Sequence, residues 1–403
     1  MTATITTTCA IAGGGPAGMM LGLLLARAGI DVTVLEKHKD FLRDFRGDTI
    51  HPSTLEVMHE LGLLDVLLAR PHEKMHEAGV EIGGAMLKAA DFSHLPTRCK
   101  FIAFMPQWHF LDFLAETGRR YPGFHLRMET EVTGLIEAEG GVAGLRAATP
   151  DGLLEIRADL VVGADGRGSV VRERAGLAVR DFGAPMDVLW MRLSRRPDDP
   201  SDTLFRVVPG HLVITINRGD YWQCAFVIEK GAFDKVKARG LDAFRADIAR
   251  VLPMAAGRIG EITSWDDVKL LTVKVDRLRE WARPGLLCIG DAAHAMSPVG
   301  GVGINLAIQD AVAAANILAG PLRERRLTLD DLCAVQRRRM FPTRVTQAVQ
   351  VLAQRFLIGP TLRAKGDIAP PLPLRLLNRF PLLRRIPGYA VGIGARPEHV
   401  REG

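Results

Sequence analysis

The 403-residue sequence contains few cysteines, and their spacing fits neither a disulfide framework nor a zinc site. The five cysteines are scattered and odd in number, and no CxxC pair occurs. Disulfide scaffolds and structural zinc sites both need cysteines at regular, paired spacing. We therefore expect no bound metal and a reducing, cytoplasmic location.

Several other signals are missing as well. The sequence has no run of about 18 uncharged apolar residues, so no transmembrane helix is expected. The opening MTATITTTCAIAGGG has no basic segment before an apolar one, so we expect no secretory signal. The motif GxSxG is absent, which argues against serine hydrolases. With 47% apolar and 24% charged residues, the sequence is typical of a globular enzyme.

Charge is distributed unevenly along the chain. Residues 321–403 carry fifteen arginines and one lysine against six acids, a net charge of +10, whereas the whole chain carries +6. No basic patch interleaved with stacking aromatics occurs, so nucleic-acid binding is not expected. The simpler interpretation is a solvated, arginine-rich helical face. Peripheral contact with an anionic membrane or an acidic partner is the alternative.

A glycine-rich turn follows a short apolar strand near the start of the chain. Gly13, Gly15 and Gly18 form GxGxxG, and the apolar run after them predicts a buried helix. In a dinucleotide site the first glycine permits the tight turn, the second lets the backbone approach a pyrophosphate, and the third lets the helix pack closely. The N–H groups of the helix start, with Ala17 in the first turn, attract phosphate.

An acid closes the second predicted strand. In residues 30–35, β-branched side chains recur in an alternating pattern that predicts a strand. Glu36 follows this strand, 18 residues after Gly18. A carboxylate at this distance accepts hydrogen bonds from a ribose diol. This pattern predicts an FAD or NAD site and argues against a 2′-phosphate at that position.

Two further strand–turn–helix segments occur later. LVVGADGRGSVVRERAGL spans residues 160–177, with Asp165 in the turn and Arg172 on the helix. GDAAHAMSPVGGVGINLAIQD spans residues 290–310, with Asp291 after a predicted strand and glycines 300, 301 and 303 before a helix. Taken alone, each segment is also compatible with an ordinary βα connection.

In this order, the three motifs resemble those of the flavoprotein aromatic hydroxylases, the single-component FAD monooxygenases typified by p-hydroxybenzoate hydroxylase. The resemblance covers about residues 8–315. It implies an α/β fold in which a GxGxxG Rossmann-like FAD domain carries an antiparallel-sheet substrate domain and a helical C-terminal segment. The expected FAD domain is discontinuous and consists of residues 1–72, 98–178 and 284–320. The substrate-binding sheet domain is expected at residues 73–97 and 179–283, and the helical segment at residues 321–403.

The resemblance also implies a reaction. NADPH or NADH would reduce FAD, dioxygen would then give a flavin C4a-hydroperoxide, and this would hydroxylate an aromatic or quinone-like small molecule. Pro298 and Gly301 would line the wall facing the oxygen and are the expected catalytic positions. The expected cofactor-binding residues are Gly13, Gly15, Ala17, Gly18, Glu36, Arg46, Gln107, Asp165, Asp291, Gly303, Ile304 and Asn305.

Some alternatives stay open at this stage. The same fold also serves isoprenoid-chain reductases, epoxidases and halogenases, although no GWxWxIP-like segment of the halogenases occurs. A non-catalytic FAD-binding protein is a third possibility. No loop side chain is an obvious base, so substrate activation would fall to the middle sheet, where His211, Arg192, Gln223 and Tyr221 are candidates. We expect the His294 side chain to cap or pack, and either a monomer or a homodimer.

Overall fold

The computed structural model describes residues 3–42, 49–200 and 204–401. Its strands are, in chain order, β1 (Ala3–Ala12), β2 (Val32–Leu35), β3 (Thr49–Ile50), β4 (Glu73–Met75), β5 (Glu77–Ile82), β6 (Ala85–Asp91), β7 (Ile102–Phe104), β8 (Phe124–Arg127), β9 (Glu131–Ala138), β10 (Gly141–Thr149), β11 (Gly152–Gly163), β12 (Val179–Asp181), β13 (Met186–Ser194), β14 (Leu204–Val208), β15 (His211–Asn217), β16 (Tyr221–Glu229), β17 (Lys269–Leu271), β18 (Asp276–Leu278), β19 (Ala282–Arg283) and β20 (Leu286–Cys288). Its α-helices are α1 (Pro16–Arg27), α2 (Pro52–Glu60), α3 (Leu64–Leu68), α4 (Gln107–Gly118), α5 (Val170–Arg174), α6 (Phe233–Ala238), α7 (Leu241–Val251), α8 (Gly303–Arg323), α9 (Leu329–Ala353), α10 (Gly359–Arg363), α11 (Leu372–Arg379) and α12 (Arg385–Gly392).

The central sheet has the order β19-β20-β11-β1-β2-β8, with β9 and β10 added beside β11. Strand β1 runs parallel to both β2 and β11, and β20 is parallel to β11. Residues 9–12 of β1 are fully buried, because β1 lies between β2 and β11 and packs against α1. Each of the three predicted motifs follows one of these neighbouring parallel strands, so the three turns lie at one edge of the sheet.

A second sheet has the order β17-β13-β16-β15-β14-β5-β6 and is antiparallel except between β14 and β5. Successive side chains along each strand point to opposite faces of this sheet, and both faces carry apolar residues. The outer face, with Leu189 and Phe226, packs against Phe244 of α7. The inner face, with Val188 and Ile214, turns toward the central sheet and the C-terminal helices.

The C-terminal segment begins along the central sheet, crosses the second one, and returns to α8 and α2 at residues 398–401. The first part of the predicted helical segment consists of the end of α8, then α9, one π-helical turn at Gln354–Ile358, and α10. Ile358 and Leu362 then pack on Val188 and its neighbours on the inner face. The predicted α/β fold with an antiparallel sheet and a helical C-terminal segment is confirmed.

Helix α8 with the turn before it, Val299–Arg323, is long and apolar enough by composition to cross a membrane. However, 67% of the apolar window is buried inside the protein. Helix α8 packs against both α1 and α9, so it is a core helix of this fold.

Candidate functional site

The first glycine turn is shaped by close backbone packing. Gly13 has φ +105°, in the region that favours glycine, and its N–H donates to the Leu35 carbonyl at 2.8 Å. A Cβ on Gly18 would overlap the Gly13 carbonyl oxygen, whereas a Cβ on Gly15 would meet nothing within 4 Å. Helix α1 therefore starts tightly against β1 and leaves open backbone at Gly15.

The start of α1 has the properties of an anion site. No side chain caps the helix, and Pro16 occupies its first position. The next N–H groups, at Ala17 and Gly18, lie within the first turn, where helical N–H groups lack intrahelical partners. Beside this turn, Glu36 accepts a hydrogen bond from the Gly14 N–H at 3.1 Å and another from His38 at 3.1 Å.

The second motif packs directly on the first. The Ala164 N–H donates to the Ala12 carbonyl at 2.8 Å, and a Cβ on Gly13 would overlap the Ala164 carbonyl oxygen. Asp165 accepts hydrogen bonds from the Ser169 hydroxyl and, at 3.1 Å, from the Val171 N–H. Burial raises the pKa of Asp165. Its carboxyl group therefore holds the turn at the start of α5.

An ion pair joins the second motif to the third. Arg167 Nε donates to Asp291 Oδ2 at 3.1 Å, and both side chains are about two-thirds buried. Arg167 Nη1 is buried and has no hydrogen-bond partner among the described residues. A buried guanidinium N–H without a partner costs free energy unless an oxygen of a bound ligand accepts a hydrogen bond from it. This orphaned donor beside Asp291 fits an anionic or hydroxyl-rich group bound between the motifs.

Arg172 also links the second motif to the third. It donates to the Arg167 carbonyl, to Asp276 Oδ1 at 3.4 Å and to the Ala292 carbonyl at 3.4 Å. Gly290, just before Asp291, lies against α1, because a Cβ there would approach the Ala17 Cβ to 3.1 Å. All three motifs therefore meet around the start of α1.

The third loop ends in two glycines with positive φ, Gly300 at +78° and Gly301 at +64°. A Cβ on Gly301 would overlap Thr49, whose hydroxyl donates to the Gly301 carbonyl at 2.9 Å. Helix α8 begins directly afterwards, and no side chain in the described part of the chain caps it. The N–H groups of its first turn, at Gly303, Ile304 and Asn305, lie where a helix attracts negative charge. Pro298 is half-buried at the start of the same loop.

The Asn305 side chain is engaged within the protein. Its Oδ1 accepts from the His51 N–H and from the Thr54 hydroxyl, both at 2.8 Å, and its Nδ2 donates to the Thr49 carbonyl at 3.1 Å. His51 is fully buried, and its Nδ1 lies 2.8 Å from the Val391 carbonyl. Burial lowers the pKa of His51 to about 4, so the ring is neutral near pH 7.

A buried charge network lies behind the third loop. His294 Nε2 contacts Asp310 Oδ2 at 2.6 Å, and the same oxygen accepts from the Gly290 N–H at 3.1 Å. Arg339 donates to Asp310 Oδ1 at 2.9 Å and to Glu398 at 3.1 Å. Burial opposes ionisation of Asp310, but the charges of His294 and Arg339 outweigh it and hold the pKa of that carboxyl below its usual range. The His294 side chain is thus part of the packed interior, behind the loop.

Three glutamines of α9 and of the π-helical turn after it form hydrogen bonds with the third motif. Gln350 accepts from the Ser297 N–H at 3.1 Å and donates to the carbonyls of Ser297 and Val299, both at 2.9 Å. Gln347 donates to the Ala295 carbonyl at 3.2 Å, and Gln354 donates to the Ser297 hydroxyl. We call Gln347, Gln350 and Gln354 the glutamine row. Sequence reasoning missed it, although buried amides spaced three and four residues apart on one helix were a usable signal.

The other predicted positions are placed as follows. Gln107 is buried as the first residue of α4, and its side chain makes no hydrogen bond to the described residues. Arg46 lies outside the described residues. Within the described part of the chain, no group of His, Cys, Asp and Glu is arranged to hold a metal ion.

The inner face of the second sheet meets the third loop and the C-terminal helices. Trp190 and Ile214 pack in the same apolar clusters as Val299, Ile358 and Ile393.

Polar groups lie on the same face, where Arg192 pairs in register with Gln223 and stands over the Tyr221 ring at 4.6 Å. His211 is different: it contacts Phe226 and Arg250 on the outer face, against α7. The suggestion that His211 activates a substrate beside the loop was wrong, because strand alternation turns its side chain away.

Comparisons with known proteins agree with this geometry. Residues 6–349 match the family described as an FAD binding domain. The chain is 35% identical to a 6-methylpretetramide 4-monooxygenase of Streptomyces rimosus over 93% of this chain and 90% of that protein. It is similar to the crystal structure of a probable FAD-dependent monooxygenase of Pseudomonas aeruginosa, with a TM-score of 0.74, 25% identity, and coverage of 89% of this chain and 98% of that one. The p-nitrophenol 4-monooxygenase structure from Pseudomonas putida gives a TM-score of 0.80 at 20% identity, covering 98% and 100%, which shows the fold.

Proposed function

The chain belongs to the FAD-binding family of aromatic hydroxylases, and we propose that it uses NADH or NADPH to hydroxylate an extended, mostly apolar aromatic substrate. It is an FAD-dependent monooxygenase. The observation that carries the proposal is the meeting of three glycine-containing turns around the start of α1, with the orphaned Arg167 N–H between two of them. The second sheet is proposed as the substrate domain.

The residues present fit FAD. Open backbone at Gly15 and the uncapped N–H groups at the start of α1 suit its pyrophosphate, and Glu36 suits a ribose. Asp291 and Arg167 suit the hydroxyl-rich chain between pyrophosphate and ring. The proposed cofactor-binding set is Gly13, Gly15, Ala17, Gly18, Glu36, Gln107, Asp165, Asp291, Gly303, Ile304 and Asn305. When bound, FAD supplies the electron transfer and the activation of dioxygen.

The third loop has two proposed roles. Pro298 and the Gly301 backbone would form a wall without ionisable side chains, which keeps water and proton donors away from the reacting atoms. The uncapped start of α8 places several N–H dipoles at the same edge and stabilises negative charge that develops there. Neither role needs a side-chain base in the loop.

The inner face of the second sheet suits an apolar ring system with one polar end. Trp190, Ile214 and Ile358 supply apolar wall, and Arg192 with Gln223 supplies hydrogen bonds and positive charge. A guanidinium near a phenol favours its ionised form, because opposite charges stabilise each other at short range. Arg192 is therefore the proposed orienting group for a substrate hydroxyl.

A cationic cavity beside the FAD region is a proposed place for the phosphates of the nicotinamide. It has a volume of about 430 Å³, and Arg167, Arg172 and Lys274 outnumber the single acid, Glu173, in its lining. Lys274→Ala should raise KM for NADH or NADPH several-fold while FAD content stays unchanged. Lys269→Ala on β17 is the matched control. Equal KM values for the two variants would remove this cavity from the proposal.

A cytoplasmic location is also part of the proposal. All five cysteines are free thiols, and four of them are buried, which suits a reducing compartment.

The proposed function is tested by NADH and NADPH oxidation, oxygen uptake and peroxide release, measured together across small phenols, quinones and polycyclic phenols. The expected result is that polycyclic phenols stimulate oxidation and give hydroxylated product with little peroxide. If no phenol or quinone stimulates oxidation, the proposal fails.

The cofactor site has a separate test: Asp291→Ala should lower FAD content, measured by flavin absorbance, and Cys333→Ala should not.

A further inference from the structure

The last helices form a compact plate on the edge of the second sheet. Helix α11, the 3₁₀ segment Pro381–Arg384 and helix α12 pack on one another and on β6. Their inward residues are apolar: Leu374 packs with Ile82 and Leu87, and the Gly388 backbone lies against Asp91. We call residues 372–389 the C-terminal plate.

The outward side of this plate is also apolar, which is unusual for a surface. Leu382 and Ile386 are each 68% exposed, and Leu372 is 64% exposed. The remaining exposed apolar residues of the plate are Leu376, Phe380, Leu383 and Tyr389. Isolated exposed leucines are common, but seven large apolar residues on one short segment mark a contact surface.

The charge of the C-terminal plate indicates what kind of partner binds it. The plate carries four arginines, at 375, 379, 384 and 385, and contains no acid. A second copy of this surface would bring eight arginines together without a counter-charge. An apolar surface with interleaved arginines and no acids instead matches a membrane surface with anionic headgroups, where side-chain tips enter the acyl boundary and guanidinium groups bind phosphates.

We propose that the C-terminal plate binds the surface of anionic lipid membranes. The apolar residues Leu382, Ile386 and Leu372 enter the interface, and Arg375 and Arg379 contact lipid phosphates. No helix inserts across the bilayer in this arrangement. Since the inward side of the same plate packs on the second sheet, a membrane-bound enzyme would take an apolar substrate near the lipid surface.

The test uses the FAD-loaded full chain and sedimentation with vesicles. Vesicles of phosphatidylcholine with one-quarter phosphatidylglycerol are expected to bind the protein, and pure phosphatidylcholine vesicles much less. Raising the salt from about 0.1 M to about 0.5 M should weaken binding, because it screens the arginines. The double variants Leu382→Asp/Ile386→Asp and Arg375→Glu/Arg379→Glu should each reduce binding roughly tenfold or more.

Two matched controls locate the surface. Leu153 is 61% exposed in the β10–β11 hairpin, and Val349 is 58% exposed on α9. Leu153→Asp and Val349→Asp should bind vesicles like the unmodified chain. FAD content and oxidation with a water-soluble phenol should be unchanged in all plate variants, which shows that they fold.

Three outcomes would overturn the proposal. The first is no binding to anionic vesicles. The second is binding that is lost with Val349→Asp but kept with Leu382→Asp/Ile386→Asp. The third is a dimer of the unmodified chain in light scattering that becomes a monomer in the plate variants, since a second copy would then cover the surface.

Discussion

The first glycine turn and the third loop contribute to one proposed cofactor site, but they are held by different kinds of interaction. The turn at Gly13–Gly18 is fixed by its own backbone and by the neighbouring strands. The loop at Ser297–Gly303 is fixed by side chains about fifty residues further along, in the glutamine row of α9 and the π-helical turn, and by the Asp310 network behind it. A short motif can therefore specify the first, whereas the third depends on the C-terminal helix.

The difference predicts that the third loop is sensitive to substitutions far from the motif. We expect Asp310→Asn to have the largest effect. It removes one of the two carboxylates that pair with the buried Arg339 and leaves only Glu398, and breaking a buried pair costs about 3–5 kcal/mol. Denaturant unfolding measures the loss.

Acid should weaken the same network. The pKa of Asp310 is lowered in the folded protein, so its stabilisation is complete above the ordinary aspartate pKa of about 4 and is lost as pH falls below it. The unfolding free energy of the unmodified chain should therefore fall more steeply below pH 4 than that of Asp310→Asn. Identical slopes would mean that Asp310 is not ionised in the folded state.

The first turn should respond to a single methyl group. Gly18→Ala should cost about 3 kcal/mol and lower FAD content, because the Cβ overlaps the Gly13 carbonyl oxygen. Gly15→Ala should leave the unfolding free energy within about 1 kcal/mol, since its Cβ meets nothing, while FAD affinity falls. Thermal unfolding of the apoproteins and FAD titration separate the two. Equal stability losses would contradict the packing described for this turn.

His51 connects Asn305 in the first turn of α8 to Val391 in α12 and should give a smaller, pH-dependent effect. Its folded pKa of about 4 lies below the ordinary value of 6.5. Stability should be complete above pH 6.5 and should fall by roughly 2–3 kcal/mol as pH decreases toward 4, because the unfolded chain binds the proton more readily. His51→Gln should flatten this dependence in denaturant unfolding, and the exposed His59→Gln should not. If the unfolding free energy of His51→Gln depended on pH as strongly as that of the unmodified chain, His51 would not be the group responsible.

The sequence predicted the fold class and the order of the three motifs, because glycine spacing and apolar strands are local signals. It also predicted that Asp165 lies in the second turn and Arg172 on the helix that follows, as α5 shows. It did not predict the glutamine row, because hydrogen bonds between Gln350 and Ser297 join residues that only the tertiary fold brings together. His211 was misplaced for a related reason: strand alternation fixes its face, but the sequence alone does not show which face of the sheet meets the loop.

The most direct test of the long-range support is peroxide released per NADH or NADPH oxidised in two glutamine variants of α9. Gln350→Leu removes three hydrogen bonds from Ser297 and Val299, whereas Gln336→Leu removes two from Trp281 and Arg279, away from the loop. Each should cost about 2 kcal/mol of stability. We predict that only Gln350→Leu raises the peroxide ratio, at unchanged FAD content. Equal ratios in the two variants would contradict the account.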